Sequence, residues 1–110
     1  MELDKFTTED IETIINEFIC TTKENGYKVH VNNDKNLGYG GFCNINDNYV
    51  IKLHIFPYPT LIVVELIQKY ESFIMDGKII TSYQWRGSEN NTNIKTFIND
   101  SINKLIKEIK

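Results

Sequence analysis

No alanine occurs in this chain, and Arg86 is its only arginine. With a formal net charge of −3, a lone arginine argues against a non-specific nucleic-acid binder, which needs a basic patch with arginine forks and interleaved aromatics. Direct contact with nucleic acid is therefore not expected. Cysteine is scarce: Cys20 and Cys43 lie in unrelated segments without metal-ligand spacing, so each reads as a free thiol rather than half of a disulfide or a metal site. No apolar run is long enough to span a bilayer, and the opening ten residues are acidic where a secretory leader would be basic. The expectation is a soluble protein of the cytoplasm, bacterial or of a host cell, with no membrane partner. Reaction motifs are missing too. No serine sits in a nucleophile elbow, neither cysteine has a cue for activation, and His30 and His54 stand without a metal-binding pattern around them. No catalytic residue, metal or cofactor is expected.

What the chain has in abundance is isoleucine, asparagine and lysine, 41 of its 110 residues. Such usage resembles the product of an AT-rich genome and fits a virus, a phage or a low-GC bacterium. Apolar residues at 41% and charged residues at 25% are ordinary globular values, and the length suits one domain with a core of its own. Residues 1–110 are read as a single α+β domain. Acid is concentrated at the start, where Glu2, Asp4, Glu9, Asp10, Glu12 and Glu17 face Lys5 alone. This is either a solvated helix face that complements the helix dipole or an acidic surface for a basic partner.

From Tyr49 to Trp85 the apolar residues alternate, as they do in half-buried strands. A hairpin closed at Pro57-Tyr58-Pro59-Thr60 sets Tyr49, Ile51, Leu53 and Ile55 opposite Gln68, Leu66, Val64 and Ile62, and places Lys52 across from Glu65. A second hairpin turning at Asp76-Gly77 would pair Ile74 with Ile79, Ser72 with Thr81, Tyr70 with Tyr83 and Gln68 with Trp85. Thr60 to Asp76 also has helical spacing, but the Ile62-Val63-Val64 run and the Lys52–Glu65 register favour a strand with a bulge or break near Gln68-Lys69. Upstream, Tyr27–Val31 and Gly41–Asn46 read as further strands. Asn32 to Asn36 reads as the loop between them, and Asn46-Asp47-Asn48 as the turn to Tyr49.

Two amphipathic helices flank the sheet. Ile11, Ile14, Ile15, Phe18 and Ile19 form one stripe, with Thr7 and Asp10 as cap and Asn25-Gly26 as stop, over roughly Thr8 to Glu24. Ile94, Phe97, Ile98, Ile102, Leu105, Ile106 and Ile109 form the other. Both stripes need cover, and the sheet is the comparable apolar surface. The expected fold is α+β: an antiparallel β-meander of about four to five strands with N-terminal and C-terminal amphipathic helices packed on one face.

One segment, Leu37 to Lys52, resembles the glycine-rich loop and lysine strand of protein kinases, especially the compact versions of large DNA viruses. Gly38, Gly40 and Phe42 fall at matching places, Ile45 replaces a valine, and Val50-Ile51-Lys52 is similar to the strand bearing the phosphate-binding lysine. The resemblance implies a phosphate or nucleotide binder using Gly38, Gly40, Gly41 and Lys52, the lysine also pairing with a helix glutamate. Cys43 replaces the third glycine, and the catalytic and metal-binding loops of a kinase are missing, so kinase catalysis is excluded. The plain alternative is a hairpin in which glycine suits the backbone.

The second sheet face comprises Val50, Lys52, His54, Phe56, Leu61, Val63, Glu65 and Ile67, then Lys69, Glu71, Phe73 and Met75, with Lys78, Ile80, Ser82 and Gln84 on the last strand. It is too apolar for a solvated face. Partial cover, a homodimer contact or a partner-binding surface would each explain it. The first functional expectation is a non-enzymatic binding protein that blocks a functional surface of a larger protein target. In size and style it is similar to anti-defence proteins such as anti-CRISPRs, and toxin immunity proteins would look much the same.

Overall fold

The structure, a computed structural model, describes residues 5–34, 38–58, 60–70, 77–87 and 93–109. The elements run α1 (Thr8–Glu24), β1 (Val29–Asp34), β2 (Gly38–Asn44), β3 (Tyr49–Phe56), β4 (Leu61–Lys69), β5 (Gly77–Arg86) and α2 (Ile94–Ile109). The strands form one antiparallel sheet in chain order, which is the expected meander between two helices. No helix among the described residues is long and apolar enough to cross a membrane.

Local chemistry accounts for the helix ends. Thr7 and Asp10 exchange hydrogen bonds in a capping box, Thr7 N–H donating to Asp10 Oδ2 at 2.9 Å and Asp10 N–H to Thr7 Oγ1 at 3.1 Å. At the far end Gly26 takes φ +86°, and the chain leaves the helix there. The stripes meet the sheet as required. Ile14, Phe18, Ile98, Ile102 and Leu105 are buried in one cluster with Ile51, Leu53, Ile55, Ile62, Val64 and Leu66, so both helices cover the same face. The N-terminal segment closes the core, with Phe6 stacked on Trp85 at 5.8 Å and its N–H bonded to Pro57 O.

The β3–β4 register is as expected, from Tyr49 opposite Gln68 through Lys52 opposite Glu65 to Ile55 opposite Ile62. Of the segment from Thr60 to Asp76, Leu61–Lys69 is strand rather than helix, and 71–76 lie outside the described residues. The β4–β5 pairing differs. Trp85 lies opposite Ile62 rather than Gln68, and Tyr83 opposite Val64 rather than Tyr70. The slip is even, so it leaves the apolar parity intact, and it brings Trp85 to Phe6. A bulge follows: Leu66 pairs with Thr81 but Ile67 with Ile79, which leaves Ile80 as the extra residue. The irregularity thus falls just before the expected Gln68-Lys69, and it moves Ile79 off the helix-covered face. Asp76 of the expected turn and the partners Ser72 and Ile74 lie outside the described residues. Asn32, Asn33 and Asp34, expected in a loop, extend β1 opposite Gly40, Tyr39 and Gly38.

Candidate functional site

On the face away from the helices, three strands enclose a hollow of about 640 Å³. Its floor exists because β2 has no side chains at Gly38 and Gly40, while Phe42 beside them, and Lys52, His54 and Phe56 on β3, form walls. Asn32 of β1 and Pro57 complete it. Both glycines have positive φ, +96° and +151°. At Gly40 there is no alternative to glycine, since a Cβ would lie 2.2 Å from Leu53 O of the neighbouring strand.

The hollow brings together residues from both expected sites. Lys52, His54 and Phe56 of the outer face share it with Gly38, Gly40 and Gly41 of the glycine segment. Four other outer-face candidates, Val50, Val63, Glu65 and Ile67, are buried, and Leu61 is half-buried. They support the surface without forming it. Of the residues placed on the later part of that face, Glu71, Phe73 and Met75 lie outside the described residues. Lys78 instead sits opposite Gln68, on the parity of Tyr49, because the bulge resets the alternation. The apolar edge of the hollow is exposed, Phe56 at 46% and its turn neighbour Tyr58 at 75%.

The glycines are not in a loop. Gly40 is paired with Asn32 on one side and His54 on the other, and Gly41 with Val31 and Leu53. Their amides point into neighbouring strands, whereas a phosphate cradle needs amides that are free to converge on the anion. A helix glutamate for Lys52 is likewise ruled out between β3 and β4, which are joined by the short turn at Pro57–Thr60.

Glu65 reaches diagonally across the sheet, and His54 Nε2 lies 2.8 Å from its Oε1. The sequence reading set Glu65 against Lys52 alone; the diagonal neighbour two residues along is the signal that identifies His54. The carboxylate is mostly buried and the imidazole partly exposed, so Glu65 fixes the ring that lines the hollow. His30 stacks on Phe42, centroids 4.9 Å apart, and holds that wall in place. Among the described residues no group of three or more His, Cys, Asp or Glu side chains could hold a metal ion.

The cysteines differ sharply. Cys20 is exposed and Cys43 buried, and burial pushes the Cys43 thiol up to about 11 from 9.0. In the native protein an aromatic disulfide reagent at pH 8 is expected to titrate one thiol, and two after denaturation. Because the folded state holds the Cys43 proton more tightly than the unfolded state, its contribution to stability is full below about pH 9 and falls as pH rises toward 11. Urea melts of wild type against Cys43→Val across that range check the sign.

Compared with protein-family models, curated proteins and solved structures, the chain matches none.

Proposed function

We propose that the chain is a non-enzymatic binding protein that seats part of a larger protein in the hollow over the β2 glycines and thereby blocks a functional surface of that target. The observation that carries this reading is the open hollow itself, walled by Phe42 and Phe56 on the helix-free face, with Phe56 itself exposed. Aromatic anchors beside a depression are the usual centres of binding energy in protein interfaces. A 110-residue chain of AT-rich composition suits a small inhibitor of a virus, phage or mobile element acting in the cytoplasm, with a toxin immunity protein as the nearest kindred type. The engaged ladder amides of Gly40 and Gly41 favour this over phosphate binding.

The test compares wild type, Phe56→Asp and Glu12→Lys, each immobilised and exposed to extract of the native cell. One larger protein is expected on wild type and on Glu12→Lys. Phe56→Asp should bind it at least about 30-fold more weakly, the loss of a hot-spot side chain worth about 2 kcal/mol or more. If Glu12→Lys loses the partner and Phe56→Asp keeps it, the acidic face of α1 is the site instead. Calorimetric titration of ATP into wild type and Lys52→Ala covers the other ligand class: measurable affinity that is lost in the variant would contradict the proposal.

A further inference from the structure

The strand β1 forms one edge of the sheet, with β2 along one side and no strand along the other among the described residues. One hydrogen bond fixes which of its backbone groups face outward. Ile45 N–H donates to Tyr49 O at 3.0 Å, so Ile45, and by alternation Cys43, Gly41 and Tyr39, turn their backbone groups toward β3. Phe42, Gly40 and Gly38 therefore turn theirs toward β1, where they meet His30, Asn32 and Asp34. The N–H and C=O groups of Val29, Val31 and Asn33 point away from the sheet.

The two edges of the sheet differ in how they are guarded. At the far edge β5 carries a bulge at Ile80 with Lys78 close by, and both discourage a further strand. β1 has neither: its pairing with β2 is unbroken, and Val29–Asp34 contains no proline and no lysine. Val31, in the middle of the strand, is 42% exposed although it lies opposite Gly41 on the helix-covered parity. An apolar side chain thus stands in the open beside outward-facing amides.

We infer that β1 pairs antiparallel with β1 of a second copy, joining two sheets edge to edge. Ladder bonds need outward residues opposite outward residues, so odd numbers must face odd numbers. The longest such register is centred on Val31. It sets Val31 against Val31 of the second copy, Val29 against Asn33 and His30 against Asn32, with about six main-chain hydrogen bonds. The two valines cover each other at the twofold axis, and Lys28 falls opposite Asp34, so no like charges meet. A foreign strand would satisfy the same amides, but β1 has a single charged residue and hence little to select one by. Its fit to itself is what the register supplies. The helix-free faces of both copies then lie on one side, their β2 strands three strand spacings or about 14 Å apart. This contact goes beyond the hollow and does not depend on what the hollow holds.

Sedimentation velocity and residue-resolved amide exchange, each run from about 10 μM to about 1 mM protein, test this. A monomer–dimer equilibrium is expected. Exchange should slow with concentration at Val29, Val31 and Asn33 but not at His30 and Asn32, whose backbone groups face β2 in either state. Val31→Pro removes an outward N–H and should abolish the dimer while leaving the sheet folded. Val31→Lys sets like charges against each other at the axis and should weaken the dimer at least about tenfold. It carries the test should the proline variant fail to fold. Phe56→Asp should dimerise as wild type does, which separates this contact from the hollow. The inference is overturned by a protein still monomeric at the highest concentration, by a dimer that both Val31 variants retain, or by one that Phe56→Asp splits. Slowed exchange at the three outward amides only in the complex with a captured target would overturn it too, in favour of a foreign strand.

Discussion

Replacing Gly40 with alanine is expected to cost about 3–6 kcal/mol, much of the total stability of a domain this size. Two penalties combine. The residue sits at φ +151°, where a side chain is strained, and its Cβ would overlap Leu53 O at 2.2 Å. That oxygen is backbone, so relief requires β2 and β3 to separate. Gly38→Ala isolates the first penalty, since φ is +96° but nothing lies within 4 Å of the added atom; about 1–2 kcal/mol is expected there. Thermal unfolding followed by circular dichroism should show a midpoint lowered by about 15–30 °C for Gly40→Ala and by about 5–10 °C for Gly38→Ala. Equal losses would mean that the strands do not approach closely at Gly40 and that the floor of the hollow is wrongly drawn.

Phe18→Ala should cost about 3–5 kcal/mol. Phe18 is fully buried, the largest side chain on the α1 stripe, and α1 packs against β1, β2 and α2. A cavity there loosens the helix from beneath the strands that carry the hollow. Urea unfolding should show a lowered midpoint with an unchanged slope. Amide exchange at Gly40, Gly41 and Phe42 should accelerate, although none of them touches solvent through the new cavity. Phe18→Leu, which keeps most of the volume, is expected to cost less than about 1.5 kcal/mol. A Phe18→Ala protein as stable as wild type would show that α1 does not hold this part of the sheet.

Where structure depends on near neighbours, the residues announced it. Thr7 and Asp10 mark the start of α1 three residues apart, and the brief connection between Phe56 and Leu61 leaves the β3–β4 register little freedom, with Lys52 opposite Glu65 as confirmation. The β4–β5 register was not readable in the same way. Asp76-Gly77 offered a local turn, and because a slip of six residues preserves which side chains face the core, alternation could not reject it. The stack of Trp85 on Phe6 joins residues far apart in sequence, and no local pattern reports it. The site was legible in parts. Gly38, Gly40 and Lys52 were picked out from one pattern and His54 and Phe56 from another, but that they share one hollow depends on the pairing of β2 with β3. The resemblance to the kinase loop implied a loop at Gly38 and Gly40, whereas both lie in β2, ahead of the strand expected from Gly41. The burial of Val50, Val63 and Ile67 was equally invisible, since alternation assigns a face but not what covers it.

The central claim is that the partner sits on the face away from the helices, in the hollow between β2 and β3. Hydrogen exchange measured by mass spectrometry on the protein alone and on its complex with the captured larger protein tests this most directly. Protection is expected across residues 38–44 and 52–58, with α1 and α2 unchanged. Protection confined to the exposed faces of α1 and α2, with the β2 and β3 amides exchanging as in the free protein, would contradict it.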